Sequence, residues 1–118
     1  MSDTEKFNSI MADVLTEVAS SIKKHGEQYG TPLGVGPDQY VLAFTGDDQT
    51  AENLAWQAKY WTDFVSTTGE VTWRDILTEE VMEAYAEDDP LLIRGELVQV
   101  AAVVVKMIYA IDGGPGGD

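Results

Sequence analysis

The stretch Thr72–Val105 reads TWRDILTEEVMEAYAEDDPLLIRGELVQVAAVVV, and its reading decides the fold. Thr72 is an N-cap residue type, Trp73 opens an apolar period and Asp75 falls in the first turn, so the spacing predicts a helix from Trp73 to about Glu87. Asp88-Asp89-Pro90 breaks the chain, and Pro90 suits the first turn of a second helix, about Leu91 to Ile111. Beyond Glu96 the clearly polar side chains of that helix before Asp112 are Gln99, Lys106 and the Tyr109 hydroxyl. A helix apolar on nearly every side is buried within a bundle or an oligomer.

Outward from this pair, the N-terminal segment Thr4–Lys24 carries Phe7, Met11, Val14, Leu15, Val18 and Ile22 on one helical stripe, with Asp13, Glu17 and Lys23 opposite. It ends in a stretch rich in Gly and Pro, His25–Pro37. Tyr40–Phe44 has strand propensity but no second strand to pair with, and is expected to be extended or a short helix. Asp47 or Asp48 is the expected cap of a helix over about Thr50–Ser66, with Leu54, Ala58, Trp61 and Val65 on one side and Thr67-Thr68-Gly69 at its end. Four helices and no sheet predict an all-α four-helix bundle: residues 1–112 as a single domain, and residues 113–118 as a flexible Gly-rich tail.

Composition narrows the function. The chain has 118 residues, one domain by size, and 21 acidic against 7 basic residues give a net charge of −14. So few cations argue against binding a nucleic-acid polymer, which needs clustered Lys and Arg. Cysteine is absent, which excludes disulfides, thiolate catalysis and Cys-based zinc sites, and one histidine excludes multi-His metal centres. The N-terminus has no secretory pattern, and the longest apolar run, Val100–Val105, is too short to span a bilayer. A cytoplasmic protein with no membrane association is the expectation.

The chemistry lies between Glu79 and Glu96. Ile76, Glu80, Glu83 and Glu87 share an arc of about 60° on one helix, flanked by Trp73, Leu77 and Ala84. A merely solvated acidic face would turn its carboxylates away from its apolar neighbours. Glu96 begins a helix otherwise apolar, a costly place for an unpaired charge. Carboxylates that face one another across a core need a cation, either Arg and Lys or a hard divalent metal held by oxygen ligands. On these residues alone the alternative is a surface acidic helix with Arg salt bridges.

Glu79-Glu80-Val81-Met82-Glu83 followed by Glu96-Leu97-Val98-Gln99 resembles the metal-binding signature of the MazG-like all-α nucleoside triphosphate pyrophosphohydrolases, Glu-x-x-Glu and then Glu-x-x-Asp on the next helix. The blocks Thr72–Val81 and Arg94–Val103 are similar to a small actinobacterial and phage-associated branch, and Lys24-His25-Gly26-Glu27-Gln28 resembles its Lys-Trp-Gly-Glu-Gln element. The resemblance implies the fold of the all-α NTP pyrophosphatases and Mg²⁺ as cofactor, with Mn²⁺ able to substitute. It makes Glu80, Glu83, Glu96 and Gln99 the metal ligands, which leaves Glu79 as the spare carboxylate expected to act as catalytic base. It also places Glu27 and Gln28 near a substrate pocket, and implies dimers or dimers of dimers in the cell of a bacterium or a phage-infected host. Gln99 departs from the pattern: an amide carbonyl ligates a hard cation without bringing charge, which weakens a second metal or removes catalysis.

Other residues carry weaker signals. Lys59 and Arg74 are the cations available for a triphosphate, and Trp56 and Tyr60 can stack on a base, although salt bridges and packing explain them equally well. His25 reads first as a helix C-terminal histidine. Gly34-Val35-Gly36-Pro37 is no P-loop, since no Gly-Lys-Ser/Thr follows. The leading expectation is Mg²⁺-dependent hydrolysis of a nucleoside triphosphate to a monophosphate and pyrophosphate. The alternative is a binding protein with a weakened site, or an acidic decoy that blocks a basic partner. Apolar surface left on Val98, Ala101, Val105, Ile108 or Tyr109 predicts a homo-oligomer burying parts of the second and fourth helices.

Overall fold

A computed structural model describes residues 1–26, 30–40 and 42–113. The chain is all-α: α1 Asp3–His25, α2 Ala51–Thr67, α3 Trp73–Ala86 and α4 Pro90–Asp112, with no strand among the described residues. Each helix starts where a side chain satisfies its first amides. Ser2 and Glu5 form a reciprocal capping box on α1, and Thr72 and Asp75 form another on α3. Asp89 accepts from the Leu91 N–H of α4, where Pro90 has no N–H to satisfy. The cap of α2 is Thr50, a correction to the expected Asp47 or Asp48. Asp48 instead accepts the Thr50 N–H at 3.0 Å, a local turn that sets Thr50 in place to accept from Asn53.

The loop before α3 is tied to that helix. The N–H groups of Trp73 and Arg74 donate to the carbonyls of Pro32 and Leu33, at 2.9 and 3.0 Å. Gly34, buried with φ +73°, lies so close to Thr72 that a Cβ there would overlap the Thr72 side chain. Gly34→Ala therefore meets both a left-handed backbone and the cap of α3, and is expected to destabilise by about 2 kcal/mol, read as a lower urea midpoint at unchanged slope. Residues 42–45 are neither helix nor strand, and the Gln57 side chain bonds the backbone of Thr45. Its amide accepts from Thr45 N–H at 2.9 Å and donates to Thr45 O at 3.0 Å.

The helices stand in a row, α2–α3–α4–α1, with α2 resting on α3 alone and α1 on α4 alone. Trp61 Nε1 and Thr62 Oγ1 of α2 both donate to Asp75 of α3, at 3.1 and 3.2 Å. Trp73 of α3 is wholly buried, with Lys106 of α4 over its ring at 5.9 Å. Glu17 of α1 holds Arg94 of α4 through a two-pronged ion pair, and Ser21 of α1 donates to Gln99 of α4 at 3.0 Å. Residue numbers climb together in those last two contacts, so α1 and α4 are parallel, with the start of α4 level with about residue 13.

That stagger corrects the reading of the first stripe. Val18 is buried, but Phe7 and Met11 are exposed, because the first turns of α1 run past the beginning of the helix they should pack on, and Leu15 is exposed on the side of α1 away from Glu17 and Ser21, which meet α4. The buried apolar set is small: Val18, Ala58, Val65, Trp73, Ala84, Ala102 and Val103. It centres on Trp73, the residue that joins α3 to α4 next to the Asp75 contacts with α2.

Candidate carboxylate site

About two to three turns beyond Trp73, α3 presents Glu79, Glu80 and Glu83. One carboxylate oxygen from each falls within 4.8 Å of the others, a group able to hold a cation. The geometry follows from the helix: positions 80 and 83 stack on one face, and 79 lies beside them. All three are partly buried, because α2 and α4 flank α3 on either side. Glu96 arrives from α4, near enough to push on Glu80 and Glu83.

The electrostatics are those of a charged cluster without enough counter-charge. Burial, then Glu83, raises the Glu79 carboxyl to about 7, against the pull of Lys59. Burial, with Glu83, Glu96 and Glu79 adding to it, raises Glu80 to about 7. Glu83 is raised by burial and by Glu96. Glu79 Oε1 is buried and has no hydrogen-bond partner. An unsatisfied buried carboxylate oxygen is costly, and it fits a divalent ion that takes oxygen ligands.

The other expected site residues divide. Lys59 is exposed and paired with Asp63 at 3.2 Å, yet its charge reaches Glu79 and Glu83. Gln99 turns its carbonyl to Ser21, toward α1 rather than α3. Arg74 sits in the first turn of α3 beside Asp75, at 3.7 Å, and its Nη1 is buried without a partner. Tyr60 stacks on Trp56 with centroids 5.6 Å apart, on the side of α2 away from its buried residues Ala58, Thr62 and Val65. The structure thus brings Glu79, Glu80, Glu83, Glu96 and Lys59 together, and leaves Tyr60 and Arg74 outside. Glu27 and Gln28 lie outside the described residues, as do residues 114–118 of the expected tail.

Sequence reading missed a polar groove of about 360 Å³ between α1 and α4, where Ser20, Ser21, Lys24 and His25 face Gly95 and Gln99. The signal was present: Ser21 and His25 continue the spacing of Val14 and Val18, and Gly95 removes a side chain from the facing helix.

No family model, curated protein or solved structure matches the chain. The resemblance to MazG-like enzymes therefore rests on its motif residues alone. Among the described residues no helix is long and apolar enough to cross a membrane.

Proposed function

We propose that the protein is a Mg²⁺-dependent hydrolase that splits a nucleoside triphosphate into a monophosphate and pyrophosphate. The observation that carries this reading is the buried, unpartnered oxygen of Glu79 within a cluster of three glutamates. Glu80, Glu83 and Glu96 would hold the ion, with Mn²⁺ able to replace it. When bound, the ion would neutralise phosphate oxygens and the charge that develops on the leaving pyrophosphate. Glu79, with a carboxyl titrating at about 7, is suited to take a proton from the water that attacks phosphorus as the anhydride bond breaks. Lys59, on the solvent side, is the cation placed to meet a triphosphate entering so acidic a surface.

A second reading, nucleotide binding with little turnover, is favoured by Gln99. It brings no charge, and its carbonyl is already engaged by Ser21. A panel of nucleoside triphosphates with and without Mg²⁺, followed by pyrophosphate release, separates the two. Release that requires Mg²⁺ and disappears in Glu80→Gln supports the enzyme. Tight binding without release supports the second reading, and Gln99→Asp should then raise turnover at least tenfold. No binding and no release from any nucleotide would overturn both.

A further inference from the structure

The groove between α1 and α4 has a volume of about 360 Å³, within the range of small-molecule sites. Two features give it a character of its own in so acidic a molecule. The first is charge. The chain carries −14 overall, but the acidic side chain of the groove, Glu17, is already held by both prongs of Arg94. Lys24 and His25 line the same space, and Lys24 is in no ion pair among the described residues.

The second is the direction of the Gln99 amide. Ser21, only 9% exposed, donates its hydroxyl to Gln99 Oε1 at 3.0 Å. With the oxygen turned to Ser21, the –NH₂ end of the amide is the one left for a ligand. Among the described residues Gln99 Nε2 has no acceptor. The Ser20 hydroxyl, the Lys24 ammonium and the His25 ring lie along the same groove. A wall of donors suits a ligand edge made of oxygen acceptors. Gln99 also sets where that edge would lie. It follows Glu96 by one turn, about 4.5 Å along α4 and about 60° round it, so the donors begin beside the carboxylate cluster.

We infer that this groove receives the base of the nucleotide, and that it selects the oxo bases uracil, thymine and guanine over cytosine and adenine. The inference rests on the nucleotide reading of the carboxylate cluster. O4 of uracil or thymine, and O6 of guanine, accept from an amide –NH₂, whereas cytosine and adenine carry an amino group at the equivalent position. There donor meets donor, and both lose their water without gaining a partner. A Gln free to turn would accept from those amino groups equally well. The selection therefore belongs to Ser21, which fixes the amide, as much as to Gln99, which touches the base.

The test uses nucleoside monophosphates with a chelator present, so that neither metal nor turnover enters. Calorimetric titration should give dissociation constants for UMP and GMP at least about tenfold below those for CMP and AMP. Ser21→Ala releases the amide, and the preference should shrink to about twofold or less. Gln99→Glu exchanges the donors for an acceptor and should reverse the preference. Gly95→Leu points new bulk from α4 into open space, and should abolish binding of all four while helical circular dichroism persists. Equal affinity for the four, no binding of any, or a preference unchanged in both Ser21→Ala and Gln99→Glu would overturn the inference. So would full displacement of UMP by inorganic phosphate, the mark of a site for anions alone. Failure of the hydrolase reading looks different: oxo-selective binding would stand, with no pyrophosphate released from UTP or GTP in Mg²⁺. Conversely, release from CTP and ATP as fast as from UTP and GTP would overturn the base selection and leave the hydrolase intact.

Discussion

Metal-free protein is expected to lose stability as the pH rises from 5 to 8, and Mg²⁺ is expected to restore it. Glu79 and Glu80 titrate at about 7 in the folded chain, against 4.5 for an ordinary glutamate. The folded state therefore binds more protons than the unfolded state between these values, and stability falls as those protons leave. Below the unfolded value both states are protonated and nothing is lost; above the folded value the full cost is present. Both side chains are only partly buried, so solvent screens part of the cost. Roughly 3 kcal/mol for the pair is the expected size, or a melting temperature on the order of 10 °C lower at pH 8. A bound divalent ion favours the charged carboxylates and reverses the sign, adding about 2.7 kcal/mol at a hundredfold excess over its dissociation constant. Glu80→Gln should be more stable than wild type at pH 8 without metal, and should not respond to Mg²⁺. Thermal melts at the two pH values, with Mg²⁺ or a chelator, measure all of this. A melting temperature that rises toward pH 8 and ignores Mg²⁺ would mean that the glutamates form an ordinary solvated face.

What was legible in the sequence was local. Thr72, Asp75 and Pro90 mark helix starts because capping is settled within three residues of chain, and Glu79, Glu80 and Glu83 fall together because one helix fixes their spacing. What was not legible depends on how one helix lies on another. The stripe through Phe7 and Met11 has the spacing of a core face, but nothing in α1 records where α4 begins. Gln99 lies one turn beyond Glu96, and only the parallel approach of α1 turns its carbonyl to Ser21. Trp56 and Tyr60 stack on each other away from α3, a choice that aromatic composition cannot make. Thr50 displaced the expected aspartates at α2 because Asp48 was used one step earlier, to bond Thr50 itself.

Trp73→Ala is expected to be the most damaging substitution within one chain. Among the described residues Trp73 is the one large side chain with almost no exposure, and the buried apolar set around it is small and mostly Ala and Val. Truncating a buried Trp costs about 3–5 kcal/mol, and few neighbours here are long enough to collapse into the space. Lys106 would lose the ring beneath its ammonium, whose pKa burial already lowers, and would be left over a void. The neighbouring Asp75 has a different weakness. Its carboxylate accepts from Trp61 Nε1, Thr72 N–H and Thr72 Oγ1, so Asp75→Ala takes the acceptor from the half-buried Trp61 indole and from the Thr72 N–H of the capping box. That substitution should cost about 2–3 kcal/mol. A domain of this size holds only about 6–18 kcal/mol in total, so Trp73→Ala should be partly unfolded at 37 °C, with Trp73→Phe between it and wild type. Urea titrations followed by far-ultraviolet circular dichroism give the three midpoints. A cost under 1 kcal/mol for Trp73→Ala would show that the α2–α3–α4 core contributes little to stability.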